Sequence, residues 1–144
     1  MKKTGIVITS VVLLTICGSL IVLWSLYMQD ASKPEQTHVV YFNDANFQKE
    51  VVEASSKMPV LVDFYADWCF PCRALEPTLE KVARDFKGRA VIGKVDTDKN
   101  MVSRRFGVNK IPAVLIIRHG EVKDLFYGVV PEEMLVKALK EFGA

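Results

Sequence analysis

The chain has 144 residues, half of them hydrophobic, and sets 19 basic against 17 acidic side chains. One domain with a proper core fits that length, and the near-even charge argues against nucleic acid or an anionic surface as partner. Of three cysteines, only Cys69 and Cys72 lie outside the apolar N-terminal stretch, too few and too close for a disulfide-stapled secreted scaffold.

Met1-Lys2-Lys3 leads into Thr4–Gln29, which carries no charge. As a helix, the run Gly5–Met28 would measure roughly 36 Å, enough for a hydrocarbon core of about 30 Å. Residues 1–28 are therefore read as an N-terminal transmembrane anchor or signal. Cleavage at the small-x-small site Cys17-Gly18-Ser19 would leave the apolar Leu20–Trp24 as a new terminus, and Leu14-Thr15-Ile16-Cys17 departs from a lipoprotein box at Ile16. An uncleaved single-pass anchor is the reading adopted. Lys2 and Lys3 precede the span, while Asp30, Lys33 and Glu35 follow it. The positive-inside rule then keeps the N-terminus in the cytoplasm and exports the rest. Beyond the anchor, 17 basic residues face 17 acidic ones.

Residues 29–37 are polar, contain Pro34 and read as a linker to a domain over 38–144. Val39–Phe42 is a short strand. Asn43 or Asp44 caps a helix whose inner face is Phe47, Val51 and Ala54. Met58-Pro59 ends it. The run Val60–Phe64 suits a strand buried on both faces. After Cys72 the period changes, and Leu75, Leu79, Val82 and Phe86 recur at helical spacing despite Pro77, which should kink the helix. Ala90–Val95 is a third strand, and Asp96-Thr97-Asp98 would cap a short helix over Met101–Phe106. Ile111–Ile117 and Glu121–Tyr127 flank His119-Gly120, a hairpin signal. Pro131 opens a last helix with Leu135, Ala138, Leu139 and Phe142 on one face. The order β-α-β-α-β-α-β-β-α implies an α/β fold with a mixed sheet covered on both faces.

Cys69 and Cys72 thus fall where a strand ends and a helix starts. The unpaired N–H groups and positive dipole end of a helix start favour thiolate over thiol, below the free value of about 8.5. Thiolate is the attacking species in disulfide exchange, and two thiols one turn apart can close on each other. The pattern suits a reversible dithiol–disulfide catalyst. Cys69, nearer the helix end, should be the more acidic and the more accessible; Cys72 should be shielded. Half a zinc site is the competing account, but four ligands are needed and only His38, His119 and scattered carboxylates remain. No metal or organic cofactor is expected. Asp63, inside the apolar run, should have a raised pKa if buried; a solvent-facing position is the alternative. Trp68 and Phe70 flank Cys69 with apolar surface, and Phe70 should be exposed to a partner.

Trp68-Cys69-Phe70-Pro71-Cys72 resembles the Trp-Cys-Gly-Pro-Cys site of thioredoxins, and the likeness covers roughly residues 38 to 143. Phe70 replaces the usual glycine and Tyr65 the usual tryptophan; Pro77 sits where the family also has proline. The resemblance implies the thioredoxin fold. It also implies Asp63 as general acid/base for Cys72, with Lys94 nearby in support. It further implies a cis Ile111–Pro112 bond packed against the cysteines, with the Ile111 backbone pairing with substrate, and Gly128 beside the groove. Trp68, Phe70, Pro71, Ile111, Pro112 and Gly128 are the expected substrate contacts.

The resulting expectation is a thiol–disulfide oxidoreductase on the bacterial inner membrane, its C-terminal domain facing the periplasm or exterior. It would reduce disulfides of exported protein substrates and be recharged by an upstream membrane thiol reductant. A reductant dedicated to cytochrome c maturation is a variant, although relatives with that task usually carry a central insertion. An oxidant is another; Phe70-Pro71 lacks the histidine of strongly oxidising relatives, and Ile111 matches reducing ones. From a different class, a membrane-tethered, thiol-independent binding module or assembly chaperone would give no reason for two cysteines at a helix start.

Overall fold

Strand β2, Val60–Tyr65, runs through the middle of a five-stranded sheet. The computed structural model describes Trp24 and residues 37–144. The anchor and most of the linker read from the sequence lie outside the described residues, among which no helix is long and apolar enough to cross a membrane. The other strands are β1 (Val40–Phe42), β3 (Val91–Asp96), β4 (Ala113–Arg118) and β5 (Glu121–Tyr127), in the order β1-β3-β2-β4-β5. β1, β3 and β2 run parallel, while β4 and β5 join antiparallel. Helices α1 (Phe70–Asp85), α2 (Val102–Arg105) and α3 (Glu132–Glu141) complete it. This is the thioredoxin-fold α/β arrangement expected, with its mixed sheet.

Strand alternation splits the core in two. Leu61, Ile92, Val114 and Ile116 face α1 and α3, where they meet Leu75, Leu79, Val82, Leu135 and Leu139. Val60, Val62, Phe64, Val95, Leu115 and Ile117 face the other way, onto Phe47, Val51 and Val102. Both faces of β2 are therefore dry, which is why its sequence is a continuous apolar run. Residues 61, 63 and 65 share the α1 side. That parity places the one charged residue of the strand, Asp63, beneath the helix that carries the cysteines. α1 runs as one helix of 16 residues with Pro77 inside it.

Four expectations need correction. The segment after β1 is a π-helix, Gln48–Glu53, followed by a 3₁₀ turn, Ala54–Ser56. Its i→i+5 bonding widens the repeat, so the buried set is Phe47, Val51 and Ser55, and Ala54 is only half-buried. Of the two caps offered, Asn43 accepts from the Ala45 and Asn46 N–H groups ahead of this segment, and Asp44 does not cap it. Its carboxylate accepts from the N–H groups of Met101 and Val102 at 2.9 Å, across 58 positions of sequence, and so caps α2. Asp96, expected in that role, instead accepts from the Asp98 N–H at 3.0 Å. β4 begins after Pro112, not at Ile111. The hairpin forms as read: His119 and Gly120 take φ values of 56° and 76°, as a two-residue turn requires. Gly93 has a role the sequence did not signal, since a Cβ there would lie 2.3 Å from the Phe42 ring.

Candidate active site

Beyond Tyr65 the chain leaves the sheet in one tight turn, closed by the Cys69 N–H donating to the Ala66 carbonyl at 3.0 Å. Cys69 is the N-cap of α1, with extended backbone at φ −78° and ψ 103°. Its Sγ accepts from the Cys72 N–H at 3.3 Å, the part usually played by a serine or aspartate oxygen. Pro71 sits in the first turn, where a missing N–H costs nothing. Cys69 and Cys72 are joined as a disulfide, S–S 2.11 Å.

In this oxidised form the two cysteines are 3% and 2% exposed. The greater access expected for Cys69 is therefore absent from it. What separates them is position: the Cys69 sulfur receives a helix-end N–H, while Cys72 lies in the turn below. A thiolate on Cys69 would be stabilised by that N–H and by the helix dipole.

Asp63 is fully buried, and neither carboxylate oxygen has a hydrogen-bond partner among the described residues. Burial pushes its pKa up to about 7, with Lys94 pulling down and Glu76 pushing up. Lys94 pairs with Asp63 in the sheet register, yet its Nζ is bound by Glu76 Oε1. The Lys94 side chain is 5% exposed and its Nζ sits 4.2 Å over the Tyr65 ring. Burial lowers the Lys94 pKa, but the hydrogen bond and charge of Glu76 outweigh it and leave the net shift upward. Tyr65, Cys72, Arg73, Glu76 and Lys94 line one small cavity of about 140 Å³.

Around the disulfide the surface is apolar. Trp68 and Phe70 are 69% and 73% exposed. Trp68 Nε1 donates to Asp98 Oδ2 at 2.8 Å, and the Arg73 guanidinium lies 5.6 Å from the Phe70 ring centre. Ile111 packs against the cluster of Ala66, Cys69 and Cys72. The Ile111–Pro112 peptide is cis. Gly128, at φ 83°, donates its N–H to the Pro112 carbonyl at 2.9 Å, which ties the end of β5 to this loop. No set of three or more His, Cys, Asp or Glu side chains is grouped for a metal among the described residues.

Sequence reasoning passed over Glu76, Arg73 and Asp98. Glu76 had a usable signal: it is four residues after Cys72 and shares its helix face. Asp98 had none, because only the fold brings it to Trp68.

A disulfide at a helix N-cap, over a buried carboxyl and ringed by exposed apolar side chains, defines a protein built for thiol–disulfide exchange. The thioredoxin family model matches residues 38–141. A thioredoxin of Chlorobaculum thiosulfatiphilum is 41% identical over 99 residues, 68% of this chain and 90% of that protein. A thioredoxin of Haemophilus influenzae is 36% identical over 106 residues, 73% of this chain and 97% of that protein. Chloroplastic thioredoxin M4 of Arabidopsis thaliana is 40% identical over 101 residues, 69% of this chain and 51% of that protein. The chain belongs to the thioredoxin family and is a thioredoxin-like disulfide oxidoreductase.

Proposed function

We propose that this chain is a membrane-anchored reductant of disulfides in exported proteins. The observation that carries the chemistry is the Cys69–Cys72 disulfide at the N-cap of α1, with the Cys69 sulfur accepting a helix-end N–H. In the reduced protein, the Cys69 thiolate attacks one sulfur of a substrate disulfide, and the other leaves as a thiolate. The Cys72 thiol gives its proton to the Asp63 carboxylate. The Cys72 thiolate then attacks Cys69 Sγ and expels the second substrate sulfur. Two electrons pass to the substrate, and the protein is left with the Cys69–Cys72 disulfide. An upstream membrane thiol reductant restores the dithiol. Trp68, Phe70 and Pro71 offer the substrate apolar surface, while Ile111, Pro112 and Gly128 hold the backbone against which an extended segment lies.

Anchoring by residues 5–28, with the C-terminal domain exported from the bacterial cytoplasm, is supported by the charge-free run after Lys2 and Lys3. Two measurements test the reading. Cys72→Ser should accumulate mixed disulfides through Cys69 on acid-trapped, non-reducing gels, while Cys69→Ser should form none. Adducts on Cys72 would reverse the two roles, and full biological activity in both variants would end the enzymatic reading. A reporter fused after Ala144 should be active outside the cytoplasm; activity confined to the cytoplasm would refute export.

A further inference from the structure

Lys94 has two carboxylates within its reach and takes only one. Its backbone is in register with Asp63 on the neighbouring strand, and both side chains point to the α1 side of the sheet by parity. Lys94 nevertheless binds Glu76, from the helix above, and leaves both Asp63 oxygens without a partner among the described residues. Glu76 is half exposed and Lys94 almost wholly covered. The pair therefore has its anionic end toward solvent and its cationic end inward, along one wall of the cavity that Cys72 also lines.

We propose that Glu76 is a positioning residue: it holds the Lys94 ammonium away from Asp63, and so keeps Asp63 an unpaired carboxyl able to take the proton of Cys72. The inference rests on the reading of Asp63 as that proton's acceptor. A carboxylate clamped by an ammonium is a weak base, because the ion pair must be broken before it accepts a proton. A buried carboxylate without such a partner is a stronger one, matched to a thiol. Glu76 thus sets the basicity of a group one layer below it without touching the reacting sulfurs.

Several other groups surround Asp63 and its lysine. α1 contributes Cys72 and Arg73; β2 and the turn after it contribute Tyr65 and Asp67; β3 contributes Asp96; and Tyr41 of β1 has its ring centre 6.0 Å from the Lys94 ammonium. On the other side β4 offers only Val114 opposite Asp63. Lys94 is in register with Asp63, while Arg73 is turned to the Asp67 carbonyl at 3.0 Å. Loss of Glu76 therefore releases Lys94 alone toward Asp63.

The test is carbon-13 NMR titration of the Asp63 carboxyl in the oxidised full chain, with the signal assigned by its loss in Asp63→Asn. In Glu76→Gln the midpoint should fall by about one pH unit, the size expected for a new close cation. Glu76→Asp should stay close to the parent, and a Lys94→Met background should remove most of the fall. An unchanged or higher midpoint in Glu76→Gln, or the full fall persisting without Lys94, would overturn the proposal. No turnover is involved, so these results are independent of whether Asp63 serves Cys72. That reading stands or falls separately on the pH–rate profile of Asp63→Asn with a model disulfide, which would match the parent's if Asp63 had no part.

Discussion

Replacing Asp63 by asparagine should convert a pH-dependent fold into one far less so. Burial raises the folded pKa from 3.8 to about 7, while the unfolded chain keeps an ordinary carboxyl near 3.9. Below about pH 4 both states hold the proton, and ionisation costs folding nothing. Between pH 4 and 7 the unfolded state ionises and the folded state does not. Stability is then lost at about 1.4 kcal/mol per pH unit. Above pH 7 both are ionised and the loss levels off. A rise of about three units makes it roughly 4 kcal/mol, a large share of the 5–15 kcal/mol typical of a domain. Asp63→Asn has no such titration. Its stability relative to the parent should therefore climb by roughly 4 kcal/mol from pH 4 to pH 8, since groups such as Asp96 and Glu121 shift equally in both proteins. The neutral amide also lacks partners, so a constant offset is expected beneath the slope. Urea unfolding of the oxidised proteins at one-unit pH intervals measures this. A stability difference independent of pH would show that Asp63 ionises as readily folded as unfolded, and the unpaired-carboxyl picture of the site would be wrong.

Two further predictions concern contacts distant in sequence. Asp44→Ala should destabilise the fold by about 1–2 kcal/mol, because it uncaps α2 and leaves the Met101 and Val102 N–H groups without their acceptor; an unchanged urea midpoint would show that the cap contributes nothing. Asp98→Ala should leave global stability within about 0.5 kcal/mol but free the Trp68 ring from its hydrogen bond. Its kcat/KM should fall several-fold toward a protein disulfide and stay level toward a small soluble one, and equal losses on both would deny Trp68 a substrate contact.

Much of this architecture was legible because two hydrophobic patterns, one continuous and one helical, are strong and adjacent. The apolar run of Val60–Phe64 and the helical repeat of Leu75, Leu79 and Val82 identified the central strand, the helix after it and the cysteines between them. The His119-Gly120 turn was legible because only a few residue types tolerate two successive positive φ values. The misses have equally local causes. A π-helix shifts the buried positions by one residue at the third repeat, and Ser55 is a polar side chain, so apolar periodicity selects Ala54 in its place. Asp44 capping α2 is a tertiary contact, and a capping residue nearer in sequence, Asp96, was available to mislead. At the site, the burial of Asp63 followed from its strand. The partner of Lys94 did not, because register and helix face offered it two carboxylates, and only the folded geometry chooses between them.

That choice bears on why a carboxyl lies in the core at all. Asp63 lowers stability once it ionises, and among the described residues it receives no hydrogen bond and forms no ion pair, so their packing does not account for it. A lysine in register with it offered the ordinary remedy, a buried ion pair. The chain supplies Glu76 to occupy that lysine instead. Both features work against stability at neutral pH and toward a carboxyl that exchanges protons near pH 7, close to the range in which a thiol must be deprotonated to resolve a mixed disulfide. Strand parity puts that carboxyl on the α1 side, and helical spacing puts Cys72 and Glu76 one turn apart on the facing surface. On the proposed reading, Asp63 would take the proton of Cys72 from beneath the helix, while the exposed Trp68 and Phe70 would meet the substrate.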